Sequence, residues 1–161
     1  MSEIQLAEAS QTEDIPCLLL PLIDINLLVP NVTVAEMAPM IHIDEVDDSP
    51  QWLVGIYSWR DIKVPILSYE VLNGSENVLL SSEGRIAVLN NTGIDESLPF
   101  IAIPTQGIPR MARVNEHDIE VNAEVEKKPY DLMRVKLGLE EFVIPDVSAL
   151  EQAYTDYAKA C

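Results

Sequence analysis

The chain has 161 residues, 48% of them hydrophobic, and carries Lys+Arg 10 against Asp+Glu 27, a formal net charge of -17. That composition gives one ordinary domain with enough apolar content for a core, and excludes a disordered chain. It also argues against nucleic acid and anionic membrane surfaces as partners, since both need clustered cations; a basic protein surface is what such a field would steer in.

Residues 1–14, within "MSEIQLAEASQTEDIP", are acidic and read as a flexible tail, with the folded domain over 15–161. The tail lacks the basic and apolar regions of a signal peptide, and no apolar run is long enough to span a bilayer, so the expectation is a soluble, cytoplasmic chain. "CLLLPLID" reads as a buried strand that turns at Asp24–Asn26 and returns as "LLVP". "TVAEMAPMI" is extended, and Pro39 marks it as an edge or bend. "DEVDDSP" is a charged loop. "WLVGIYSW" and "IKVPILSY" form a hairpin turning at Arg60–Asp61, with Gly55 marking a bulge or a close backbone approach. "NGSEN" and "SSEG" are turns, "RIAVLNN" a strand, and "FIAIP" and "PRMARV" two more strands on either side of "TQG". "EVEKKPYDL" is a charged connection, and "MRVKLGLEEFVIP" a last hairpin around Gly138. Only the C-terminus reads as helix: Asp146 or Ser148 caps it, and Val147, Leu150, Tyr154 and Tyr157 make one apolar stripe facing the β core.

Chemistry-bearing residues are sparse in pattern. Asp44, Glu45, Asp47 and Asp48 lack the glycine and distal glutamate of a calcium loop. His42 and His117 lie far apart with no ligand spacing, so no metal is expected. The two cysteines, Cys17 and Cys161, form no framework and read as free thiols, with Cys17 buried and inert. No nucleophile elbow, P-loop or dinucleotide glycine pattern is present, so no cofactor is expected either. The rival to a binding function is a small β-barrel enzyme using paired carboxylates, because 27 acids always leave such a pair open. Arg60 stands out: a cation at a hairpin bend, with Trp59, Tyr57 and Trp52 nearby, in residue types enriched at interface hot spots.

The stretch "PQWLVGIYSWRDIKVPILSYEVL" resembles the central motif of CheW-like domains of bacterial chemosensory systems, with Trp52, Gly55, Arg60, Val64, Pro65 and Ile66 at the motif positions. "CLLLPLIDINLLVPNVTVAEM" is similar to the opening hairpin and Val-x-Glu segment, here Val34 and Glu36; "FIAIPTQGIPRMARVNEHDIE" resembles a later strand pair, and "VKLGLEEFVIPDVSALEQA" the closing hairpin and helix. The family usually places Gly after the Arg; this chain has Asp61.

The resemblance implies a mainly β fold, two intertwined small five-stranded β-barrels (SH3-like lobes) with a C-terminal helix. It also implies a non-enzymatic adaptor, monomeric outside arrays, that bridges chemoreceptor cytoplasmic tips to the regulatory domain of a histidine kinase. Val34, Glu36, Gly55 and Arg60 would lie on the docking surface, with Trp59 and Asp61 beside them. Gly55 would hold a groove open, and Asp61 would partly neutralise Arg60. The divergence fits accessory members of type IV pilus (twitching motility) systems; a modulator that competes with the main adaptor would need the same surfaces.

Overall fold

The computed structural model describes residues 14–161, so the predicted tail, apart from Asp14, lies outside the described residues. In chain order the elements are β1 (Ile15–Pro21), β2 (Asn26–Pro30), a 3-10 turn (Asn31–Thr33), β3 (Val34–Pro39), β4 (Ile43–Asp44), β5 (Leu53–Trp59) and β6 (Ile62–Leu67). Then follow α1 (Tyr69–Leu72), β7 (Arg85–Asn90), β8 (Phe100–Thr105), β9 (Arg110–Val114), β10 (Ile119–Val121), β11 (Asp131–Leu137), β12 (Glu140–Pro145) and α2 (Val147–Ala160).

The strands make two six-stranded sheets, in the orders β10-β11-β12-β2-β1-β9 and β3-β7-β8-β6-β5-β4. Each lobe therefore has one strand more than the expected five. The extra ones, β4 and β10, are two and three residues long, too short to leave a periodic signal. The two ladders follow one pattern. A hairpin (β5–β6 or β11–β12) lies beside a parallel pairing (Ile66↔Ala102, or Phe142↔Asn26 and Val143↔Leu27); two antiparallel pairings follow beyond the parallel one, and the short extra strand pairs antiparallel on the hairpin's other side. The chain starts in one lobe with β1 and β2, builds the whole middle lobe from β3 to β8, and returns for β9 to α2. That path is the intertwining. It also corrects the reading of "FIAIP" and "PRMARV" as a strand pair: β8 pairs with β7 and β6, whereas β9 pairs with β1 in the other lobe.

The continuous apolar runs follow from burial on both faces. On β1, Cys17 and Leu19 face a small core inside the outer lobe, with Leu28, Val114, Val135 and Phe142, while Leu20 faces a core shared between the lobes. On β7, Ile86 and Val88 face the middle lobe's own core with Trp59, Val64 and Ile66, while Ala87 and Leu89 face the shared one. A strand with apolar partners on both sides has no polar face to alternate with. The shared core joins Leu20, Leu27 and Val29 to Leu67, Ile101 and Ile103 and to Leu150 of α2, so parting the lobes would expose this third core while leaving each lobe only its own smaller one.

Local signals behave as expected. The Arg60–Asp61 turn joins Trp59 to Ile62, and both turn residues are left-handed (φ 48° and 64°), the type I′ arrangement that follows strand twist. Gly138 (φ 65°) opens the β11–β12 turn. β3 is an edge strand, as Pro39 suggests. Asp146 caps α2, its Oδ1 accepting from the Ala149 N–H at 3.1 Å. The predicted stripe of α2 packs on the shared core, and Tyr157 meets Trp52 edge-on at 5.8 Å, so Trp52 serves the helix, not the bend.

A polar node closes the seam between the lobes. The Asp131 carboxylate, fully buried at the start of β11, pairs with Arg134 Nε at 2.9 Å and accepts from the Lys128 N–H at 2.9 Å and Asn73 Nδ2 at 2.9 Å. The Tyr69 hydroxyl of α1 lies against Asp131 Oδ1 and 2.9 Å from the Tyr130 carbonyl, and Asn73 Oδ1 accepts from the Tyr130 N–H at 2.8 Å. Burial pushes the Asp131 carboxyl up, but the donors from Tyr69, Lys128 and Arg134 outweigh it and hold the group below its ordinary value. Tyr69 is pushed far up, by burial first and then by Asp131.

Candidate functional site

The β5–β6 turn brings three of the sequence-predicted residues together. Glu36 projects from β3 just past a bulge between Val34 and Glu36, the kind of irregularity that re-aims a side chain. Its carboxylate takes two donors: Trp59 Nε1 at 2.9 Å on one oxygen and an Arg60 Nη at 3.3 Å on the other. The Arg60 guanidinium also sits 4.7 Å from the Trp59 ring centroid. Trp59 itself is buried, with Phe100 edge-on at 4.7 Å. Trp59 therefore supports the corner from below. Arg60 is the residue on offer, with 70% of its side chain exposed. An ion pair that open contributes little stability, so the arrangement orients a cation.

Asp61 is exposed beside it, but the carboxylate that pairs with Arg60 is that of Glu36, and this replaces the expectation that Asp61 neutralises it. Asp tolerates the left-handed turn less well than glycine. Asp61→Gly should therefore raise stability by about 0.5–1 kcal/mol, read as a higher urea midpoint. An unchanged midpoint would contradict the turn assignment.

Val34 and Gly55 lie apart from this corner. Val34 begins β3, half-buried against the shared core. Gly55 is buried at a bulge in β5, where an added Cβ would lie 2.6 Å from Ile43 Cγ2 and 2.7 Å from the Asp44 carbonyl oxygen. It is five residues up the strand from Arg60, roughly 16 Å at strand rise. Gly55 lets β4 lie against β5.

A groove does exist elsewhere, and sequence reasoning missed it. About 370 Å³ in volume, it runs between the lobes beside Val34, lined by Val29, Pro30 and Thr33, by Leu132 and Ile144, and by Val147 at the start of α2. Val32, 82% exposed, stands in the 3-10 turn next to it, and Leu132 is exposed after a register shift between Asp131 and Met133. With Thr92 of the β7–β8 connection on the middle-lobe side, the lining comes from four separated stretches (29–33, 92, 132 and 144–148), so no window of sequence carries the signal. β3 connects the groove to the corner, from Val34 at one end to Glu36 in contact with Arg60.

Among the described residues, no group of three or more His, Cys, Asp and Glu is placed to hold a metal ion, and no helix is long and apolar enough to cross a membrane. His42 and His117 are exposed and far apart in the chain; Cys17 is buried, and burial pushes its thiol up.

Comparison with known proteins agrees with this architecture. The crystal structure of the scaffolding protein TtCheW from Thermoanaerobacter tengcongensis superposes with a TM-score of 0.69 at 15% identity, covering 82% of this chain and 84% of that one. At that identity the likeness speaks for the fold: mainly β, two SH3-like lobes, one C-terminal helix. No match was found among curated proteins. The family model described as CheW-like domain matches residues 16–153, spanning both lobes, the Arg60 hairpin and the first half of α2, and so the chain belongs to the CheW-like domain family.

Proposed function

We propose that this protein is a non-enzymatic adaptor of a bacterial chemosensory pathway, coupling chemoreceptor tips to the regulatory domain of a histidine kinase in the cytoplasm. Family membership supports the scaffold role, because CheW-like proteins act by binding and not by catalysis. A coupling protein needs two faces. The inter-lobe groove suits the apolar side of a helical receptor tip, since both lobes and α2 line it. The Arg60 corner suits the kinase: a cation on a rigid hairpin, oriented by Glu36 and Trp59, can grip a carboxylate or carbonyls with fixed geometry. The corner is the observation that carries the reading. Asp61, where the family has glycine, supports placing the chain in an accessory system such as that of type IV pili; loss of twitching on deletion of the gene would test that assignment.

The experiment is a calorimetric titration of the host kinase's regulatory domain with wild type and Arg60→Ala. Arg60 is exposed and its ion pair weak, so the variant should fold with an unchanged midpoint. Its affinity should fall by about 30-fold, a loss of about 2 kcal/mol typical of an arginine hot spot. Full affinity in the variant, or a large loss of thermal stability, would refute the site.

A further inference from the structure

Glu151 is a carboxylate with no exposed surface, set on α2 at a position where a helix facing a core ordinarily carries an aliphatic residue. Both of its oxygens accept from one donor, the Thr92 N–H, at 3.2 and 3.0 Å. One turn further along the helix, the Thr155 hydroxyl donates to Asp95 at 3.3 Å. Together they tie residues 91–99, the connection between β7 and β8, to α2. Thr92 is also part of the groove lining, beside Val147 and Ser148.

The bond is not needed to satisfy Thr92, which is exposed and would find water if released. It is also unfavourable for Glu151. Burial pushes its carboxyl up, the Thr92 bonds oppose that in part, and Asp95 across the gap adds like-charge repulsion. The carboxylate thus weakens the helix packing while it fixes one wall of the groove.

We propose that Glu151 is a positioning residue for docking: it holds Thr92, and with it the middle-lobe wall of the inter-lobe groove, in the geometry that a partner meets. The inference rests on the groove reading given above. It separates stability from binding. Glu151→Leu removes the acceptor and the buried charge, so its unfolding midpoint should hold or rise, the Thr92 amide should exchange faster, and docking should weaken by about tenfold, the weight of one interface contact. Glu151→Gln keeps a carbonyl acceptor without the charge and should bind within about threefold of wild type. Glu151→Met, unbranched, replaces the leucine variant if that side chain does not fit.

The test titrates the full chain, wild type and variants, with the cytoplasmic tip of the host chemoreceptor, and reads thermal unfolding and Thr92 amide exchange on the same samples. Weaker docking in the leucine or methionine variant, with stability kept and glutamine rescue, supports the proposal. Wild-type affinity in those variants overturns it, as does a binding loss that tracks a fall in midpoint shared by the glutamine variant. Wild type that does not bind the tip overturns the groove reading itself, and the positioning role with it.

Discussion

Asp131→Ala should destabilise the protein by about 3–5 kcal/mol, the usual consequence of removing one member of a buried ion pair. The carboxylate is fully buried and its partner Arg134 is only 15% exposed, so solvent cannot take over. Arg134, the Lys128 N–H and Asn73 would all lose an acceptor, and the Tyr69 hydroxyl would keep only the Tyr130 carbonyl. Because the node joins α1 of the middle lobe to β11 of the outer lobe, the loss should appear as one cooperative shift in urea midpoint. A loss below about 1 kcal/mol would mean that the shared apolar core alone fixes the seam. The same group sets a pH dependence. Its folded pKa lies below the unfolded value, so its contribution is full above about pH 4, the ordinary aspartate range, and is lost as pH falls through the lowered folded value. The stability gap between wild type and Asp131→Asn should therefore narrow on acidification below that range; a gap constant with pH would show that Asp131 gains nothing from its charge.

Gly55→Val should cost about 3 kcal/mol, the upper range for overpacking. The first side-chain carbon alone would intrude to 2.6 Å on Ile43 and 2.7 Å on the Asp44 carbonyl. Ile43 can turn aside, but the Asp44 backbone cannot without unpairing β4, which is held to β5 only through Ile43↔Tyr57 and Asp44↔Ile56. The expected result is a lower unfolding midpoint with faster amide exchange in β4. This outcome separates the two accounts of Gly55. The family resemblance gives it a docking role, and a substitution there would then weaken partner binding at unchanged stability. The structure puts it beneath β4, where binding falls only as far as folding does. A valine variant of wild-type stability would refute the packing account.

Much of the local structure was legible in the sequence. The Arg60–Asp61 turn, the Gly55 bulge, the Gly138 turn, the Asp146 cap and the edge position of Pro39 all follow from the chemistry of a few adjacent residues, which tertiary contacts did not override. The motif around Arg60 carried the family, because six of its positions fall within one hairpin. The run "CLLLPLID" announced a buried strand, but could not say which face met which core.

Whatever depends on distant stretches was decided in three dimensions. "FIAIP" and "PRMARV", separated by four residues, went to different lobes, because β8 is claimed by β7 and β6 and β9 by β1. Glu36 became the partner of Arg60, across 24 residues, in place of the adjacent Asp61. Glu151 and Thr155 were buried by the 91–99 connection folding over α2, off the apolar stripe that periodicity identifies. The groove and the Asp131 node exist only where the lobes meet. Turn and cap preferences act between neighbours and can be read from short windows; the pairing of strands and the seam between lobes are set by competition among apolar faces far apart in the chain, and that competition is settled only when the whole core closes.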